Sequence, residues 1–233
     1  MENELIDFHI HSKFSDGIYA VEDIINFAKS HGFKMIGISD HYDTIKTVSI
    51  KKNKLLDYIT FLNSLKNEFN LKSAVEIDFS PRTDLENLPF DQLNSLDYIL
   101  FEYVQDPLWD GYPFWKLIDL LEKINVPIGL AHNNIMRNFK DVDMDEFVDV
   151  LETHKIFIEI NANDIYTILS EYFFNLSEEF FKLIRNREIP ISVGSDMHNK
   201  LDDMLKVKIG LTFIRNLNLE RNLQLFLELF KND

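Results

Sequence analysis

The sequence predicts an α/β fold whose parallel strands close into a barrel. Short apolar runs alternate with amphipathic stretches along all 233 residues. The runs are continuous rather than alternating, as in strands buried on both faces. Histidines and carboxylates recur at the carboxyl ends of these runs. The apolar pattern alone also fits an open, doubly wound sheet. The third observation favours closure, because a barrel gathers all strand ends on one face and an open sheet spreads them along a line.

Leu5 to Ile10 is the first strand. Val21 to His31 is a helix with Ile24, Ile25 and Ala28 inward, stopped by Gly32. Lys34 to Ser39 is the second strand, Lys54 to Phe69 a helix, and Leu71 to Phe79 the third strand. Leu85 to Leu93 is a short segment containing Pro89. Asp97 to Val104 is the fourth strand. Pro113 to Ile124 is a helix with Pro at its start, where the missing N–H costs nothing. Val126 to Ala131 is the fifth strand. Asp143 caps a helix to His154, and Ile156 to Asn161 is the sixth strand. Asp164 to Phe174 and Ser177 to Arg187 read as helices, with Ser177 capping the second. Pro190 to Ser195 is the seventh strand. Asn218 caps a last helix with Leu223, Phe226, Leu227 and Phe230 inward. No linker or repeat interrupts the pattern, so residues 1–233 are expected to form one domain.

Composition narrows the function. Hydrophobic residues make up 45% of the chain, which excludes a disordered protein. There is no cysteine, so a transition metal is left to His, Asp and Glu. The net charge of −15 disfavours long nucleic acids and anionic lipid. It does not exclude a small anionic substrate, because bound cations reverse the local sign. With no signal peptide and no apolar run near the ~20 residues of a membrane helix, a cytoplasmic protein without a membrane partner is expected.

Metal-capable residues sit where a barrel would bring them together. His9 and His11 end the first strand, with Asp16 in the loop beyond. Asp40 and His41 end the second. Glu76 and Asp78 lie near the end of the third, and Glu102 lies in the fourth. His132 ends the fifth, Glu159 and Asn161 the sixth, and Asp196 and His198 the seventh. Each i,i+2 pair, His9/His11 and Asp196/His198, places two ligands on one side of a strand. His31 and His154 fall at helix ends and read as dipole partners or surface residues. Asp141, Asp143, Asp145, Asp149 and Glu152 have EF-hand spacing. Glu146 stands where that turn needs Gly, so the run reads as a solvated helix start.

At these residues the chain resembles the PHP (polymerase and histidinol phosphatase) family. His9-Ile10-His11 with Ser15-Asp16-Gly17 resembles its first motif and Gly37-Ile38-Ser39-Asp40-His41 its second. Val75-Glu76-Ile77 resembles its glutamate strand, Gly129-Leu130-Ala131-His132 a later histidine motif, and Val193-Gly194-Ser195-Asp196-Met197-His198 its last. The resemblance implies a distorted seven-stranded TIM-like (β/α)7 barrel, two to three divalent ions (Zn, Mn or Fe) and phosphoesterase activity. It implies a first ion on His9, His11, Glu76 and Asp196. Glu76 would bridge to a second ion, also on His132, and Asp16, His41 and His198 would hold a third. One motif departs. Where the family has a His on the fourth strand, this chain reads Phe101-Glu102-Tyr103-Val104. Val cannot ligate. Glu102, two residues earlier and so facing the same side of the strand, is the candidate substitute at the second ion; the other reading is a general acid or base, or a carboxylate paired elsewhere.

Such a centre suits hydrolysis of a small phosphomonoester by metal-activated water. Glu76, Asp40 and Glu102 are the catalytic candidates. Asp40 is placed to orient His41 or, equally, to bond the backbone. Glu159 and Asn161 could hold water or substrate, with structural hydrogen bonding at the strand end the stronger reading. Lys13, Arg82 and Arg137 are candidates for gripping a phosphate, with plain surface charge as the alternative. Trp109, Tyr112, Phe114 and Trp115 either shape a pocket or pack on a helix. A nuclease or phosphodiesterase on short oligonucleotides is the main alternative function. A non-catalytic binding protein follows if the missing histidine disables the centre. An amidohydrolase also begins with His-x-His, but its bridging Lys has no counterpart in these motifs.

Overall fold

Every barrel strand pairs with the next one in the chain. In the computed structural model, described over residues 4–231, β1 (Leu5–Asp7), β2 (Phe33–Tyr42), β3 (Leu71–Asp78), β4 (Tyr98–Glu102), β5 (Ile128–Leu130) and β6 (Phe157–Asn161) run parallel in that order. A small antiparallel hairpin, β7 (Thr167–Ile168) and β8 (Glu171–Tyr172), follows. The seventh barrel strand is β9 (Ile191–Gly194), parallel to β6. Phe8 N donates to Val193 O at 2.9 Å, Asp196 N to His9 O at 2.8 Å and His11 N to Met197 O at 2.9 Å. These bonds bring the last strand back to the first and nearly close the barrel. A TIM-like barrel is therefore the fold, and the open sheet is excluded.

The helices between strands are amphipathic and pack outside. They are α1 (Val21–Ser30), α2 (Leu55–Leu65), α3 (Phe90–Leu93), α4 (Phe114–Leu120), α5 (Ile135–Asn138), α6 (Met144–His154), α7 (Phe173–Leu176), α8 (Glu178–Ile184), α9 (Val207–Asn216) and α10 (Glu220–Glu228). Asp143 caps α6 as its spacing predicts, accepting from Asp145 N and Glu146 N. Gly32 ends α1 with φ of +76°, a left-handed turn that glycine adopts without strain.

Aromatic side chains fill the barrel end opposite the ligands. Phe8, Tyr98 and Phe157 meet Phe226 and Phe230 at the C-terminal end of the chain, with ring centroids 4.6–6.5 Å apart. The Tyr98 hydroxyl donates to Phe8 O at 2.6 Å, which satisfies the one polar atom this plug carries. Burial of each Phe contributes roughly 1.5–3 kcal/mol.

Three local expectations fail, each for a physical reason. Residues 164–172 form no helix. The chain turns through Leu169 and Ser170, both at positive φ, and Ile165 and Leu169 are 69% and 95% exposed. Their apolar spacing therefore reflects no buried face. Asn218 does not cap α10. It is left-handed (φ 56°) and turns the chain between α9 and α10, a conformation Asn tolerates. Ser177 stands at the start of α8, but its buried hydroxyl makes no hydrogen bond there. One helix outside the predicted set, α9, buries Val207, Gly210, Phe213 and Ile214.

Candidate metal centre

Nine metal-capable residues gather at the carboxyl ends of the strands and in the loops just beyond them, in four overlapping groups of candidate ligand atoms. The groups are His9–His11–Asp196, His9–Glu76–His132, His41–Glu76–Glu102 and His11–Asp16–His41–His198, with atoms within 4.8 Å of one another in each. Two of these residues sit at left-handed backbone, His132 (φ 34°) and Asp196 (φ 51°). Strained backbone of this kind, at about 1–3 kcal/mol each, persists where the surroundings over-determine it, typically at functional sites.

The first group has the geometry of a tetrahedral site. A tetrahedral ion with bonds of about 2.0–2.1 Å holds its ligand atoms roughly 3.4 Å apart. His9 Nε2 lies 3.0 Å from His11 Nε2, 3.5 Å from Asp196 Oδ1 and 3.4 Å from Glu76 Oε2. His11 Nε2 lies 3.0 Å from Asp196 Oδ1 and 3.5 Å from Glu76 Oε2. Asp196 Oδ1 is buried without a hydrogen-bond partner, as an oxygen shaped for a cation is. The group around Asp16 is looser. Its carboxylate lies 3.3 Å from His198 Nε2, 3.6 Å from His41 Nε2 and 3.7 Å from His11 Nδ1.

Neighbouring groups fix the rings. His9 Nδ1 donates to Glu159 Oε1 at 2.8 Å, which leaves Nε2 facing the centre. His198 Nδ1 donates to Asp196 O at 2.9 Å and likewise frees Nε2. Glu159 also accepts from His132 N at 2.7 Å and Asn161 Nδ2 at 3.1 Å, so one carboxylate aligns two ligand-bearing segments. Gly194 lies against it; a Cβ there would collide with Glu159 Oε1 and His9 Cβ. Glu159→Gln is expected to weaken ion binding about 10–100-fold, the usual cost of losing such an orienting partner. Titration of the variant with Zn²⁺ against a competing chelator checks this.

Electrostatics split the histidines. Burial, then the charges of His198 and His41, push His11 down to about 3, so it is neutral and ready to ligate. Burial also disfavours charge on His198, but its hydrogen bond to Asp16 and the Asp196 charge outweigh it and raise the ring to about 9. His198 must lose that proton to ligate. His9 and His41 are raised as well, so apparent ion affinity is expected to fall at least tenfold per unit as pH drops below about 9, with proton release on binding at pH 7.5. Calorimetry in buffers of different ionisation enthalpy measures the release, and a pH-independent affinity would contradict it.

Not every sequence candidate reaches the centre. Asp40 does not orient His41. Its oxygens accept from Ser12 N (2.7 Å), Ser12 Oγ (2.7 Å) and Ser15 Oγ (2.6 Å), which pins the loop that carries Asp16. Lys13 is exposed and lines no part of the cleft. Arg82 is taken up by Asp78 (2.8 and 3.2 Å) and Trp109 O (2.7 Å). Arg137 does border the cleft, held by Asp106 at 2.6 Å and Asn138 at 2.8 Å. The aromatic quartet divides. Trp109 stacks on Tyr103 at the cleft, Phe114 is core, Tyr112 packs on Phe79, and Trp115 is half exposed.

Glu102 and Val104 do not share a strand face. β4 ends at Glu102, and Tyr103 takes a left-handed conformation (φ 62°). The two-residue alternation stops there, and Val104 turns into the apolar core. Glu102 instead meets Lys46, which was not singled out from the sequence. Lys46 Nζ donates to both Glu102 oxygens at 2.7 Å and to the Tyr103 hydroxyl at 3.0 Å. A cationic residue five positions after His41, in the loop leaving a ligand strand, was the available signal. Tyr166 was also missed; its ring stacks on His132 at 4.0 Å.

A parallel barrel with this buried cluster at its carboxyl face defines a class, the metal-dependent barrel hydrolases. The PHP domain model matches residues 7–173, more than half of the chain, and the chain belongs to the PHP family. It is similar to the DNA polymerase/3'-5' exonuclease PolX of Bacillus subtilis (strain 168), 24% identical over 220 residues. That match covers 90% of this chain and 36% of the relative, so the chain spans about a third of that protein's length. Among solved structures it resembles histidinol phosphate phosphatase from Lactococcus lactis, complexed with Zn, L-histidinol and phosphate. The TM-score is 0.65 at 19% identity, over 92% of this chain and 94% of that one. A chain of archaeal ribonuclease P with mature tRNA has a TM-score of 0.60 at 14% identity, over 95% and 89%. These two likenesses concern the fold. Family membership and the ligand cluster together make the protein a metal-dependent phosphoesterase. Among the described residues, no helix is long and apolar enough to cross a membrane.

Proposed function

We propose that the protein hydrolyses a small phosphomonoester. The observation that carries this reading is the cleft above the centre, about 440 Å³, within the usual range for small-molecule sites. It opens onto Asp16, His41, Glu76, His132, Asp196 and His198, and its walls carry Lys46 and Arg137 beside the rings of Trp109, Tyr166 and Phe173. Anionic ligands on the floor, cations on the wall and aromatic sides suit a phosphate attached to a compact organic body.

His9, His11, Glu76 and Asp196 would hold one ion, and Asp16, His41 and His198 another, of Zn, Mn or Fe. Bound there, divalent ions supply Lewis acidity toward a phosphoryl oxygen and a water nucleophile near neutral pH. Arg137, held by Asp106 and Asn138, would present its guanidinium to a substrate oxygen. Tyr166 and Trp109 flank the organic part and exclude water. Glu76, buried between His9, His41 and His132, is held ionised: burial opposes this, but the His9 and His41 charges and the His132 hydrogen bond prevail. The likeness to histidinol phosphate phosphatase makes histidinol phosphate one substrate to try.

The test is hydrolysis of a phosphate-ester library with added Mn²⁺ or Zn²⁺. Turnover of a monoester supports the reading, and no turnover by ion-loaded protein counts against it. A second reading, cleavage of short oligonucleotides, draws on the likeness to PolX. The net charge of −15 weighs against a long polymer. Comparing a mononucleotide with a single-stranded oligomer separates the two.

A further inference from the structure

The part of the centre that departs from the family pattern carries a cation of the chain's own. With Val104 in the core, a second ion would draw on Glu76 together with His132 and His9, or together with Glu102 and His41. Three observations set Glu76, His132 and Glu102 apart from the other ligands. Both Glu102 oxygens already accept from Lys46 Nζ, at 2.7 Å each. The ammonium's third donor goes to the Tyr103 hydroxyl at 3.0 Å, so all three of its N–H groups are used. His132 Nε2 lies only 2.7 Å from Glu76 Oε1, a direct hydrogen bond and closer than the roughly 3.4 Å between two ligands of one tetrahedral ion.

Charge leads to the same place. Glu76 and Glu102 are both buried and both border His41, at 3.0 and 3.5 Å from its Nδ1. Two carboxylates so enclosed need a compensating positive charge. Lys46 reaches in from the loop after β2, with its side chain 20% exposed, and supplies one. Glu102 Oε2 is 2.7 Å from this ammonium and 4.0 Å from His132 Nε2, so the cation stands beside the Glu76–His132 pair.

We propose that the Lys46 ammonium takes over the charge of the second divalent ion, so that the centre holds two ions and one fixed organic cation. Glu102 is then the counter-ion of Lys46 rather than a metal ligand. The inference rests on the metal-dependent reading above, and an ion count distinguishes its failure from failure of that reading.

The experiment loads the full chain with Zn²⁺, removes loosely held ion by desalting, and counts ions per chain by elemental analysis. The expected result is two in the wild type, two in Lys46→Arg, and three in Lys46→Ala, where Glu102 is released to ligate. Three ions in the wild type, or an unchanged two in Lys46→Ala, overturns the assignment of Lys46. No bound ion in the wild type overturns the metal-dependent reading itself. If Lys46→Ala does not fold, anomalous scattering from a Zn-loaded wild-type crystal carries the test. Two peaks, with Nζ on Glu102, support the proposal, and a third peak among Glu76, Glu102 and His132 overturns it.

Discussion

His11→Ala is expected to lower hydrolysis by more than 100-fold and to remove at least one ion per chain. His11 is the side chain common to the His9–His11–Asp196 group and the group around Asp16: its Nε2 faces Asp196, Glu76 and His9, and its Nδ1 faces Asp16. Losing an orienting partner of a ligand already costs about 10–100-fold, and losing a ligand common to two groups costs more. The fold is expected to survive, because the neighbouring backbone is held independently of the ring, through His11 N on Met197 O and Ser12 on Asp40. Elemental analysis and rates at saturating Zn²⁺ or Mn²⁺ measure both effects. A variant that keeps its full ion content would show that the groups do not share this imidazole.

Chelation is expected to lower the melting temperature by about 8–16 °C. An ion that binds only the folded chain stabilises it by about 4 kcal/mol at 1,000 times its Kd. For a chain of this size each kcal/mol moves Tm by about 2–4 °C. The cause is local: His9, His11, Glu76, Glu102, Glu159 and Asp196 are all nearly or wholly buried and lie close together. Without ions the carboxylates rely on protonated imidazoles, and Coulomb attraction to Glu159, Glu76 and Asp196 raises the proton affinity of His9 even though burial opposes it. Differential scanning fluorimetry with chelator, and then with increasing Zn²⁺, tests the expectation. A Tm independent of ion concentration would rule out a site coupled to folding.

The barrel was legible because its signals are local and redundant. Most barrel strands centre on a short apolar run, and most of the longer helices carry one apolar face. The hairpin at residues 167–172 was not legible, since Ile165, Ile168 and Leu169 have helical spacing but face solvent. Apolar spacing reports burial only where there is something to bury against. The clustering of the candidate ligands was legible for a similar reason: His9, His11, Glu76, His132, Asp196 and His198 all fall at or near strand ends, and the barrel makes those ends neighbours.

Local sequence was enough to locate the seven barrel strands, to place imidazoles and carboxylates near their carboxyl ends, and to show that the fourth strand lacks the family histidine. Only the tertiary structure decided what each charged side chain is paired with. Asp40 went to the serines of the first loop, Arg82 to Asp78, Glu159 to His9, and Glu102 to Lys46. The physical reason is one of range. Strand periodicity follows from backbone geometry a few residues long, and it ended at Tyr103, where φ turns positive. The pairing of buried charges is set between strands, by residues such as Lys46 and Glu102, 56 positions apart in the chain, that the folded sheet brings within 2.7 Å.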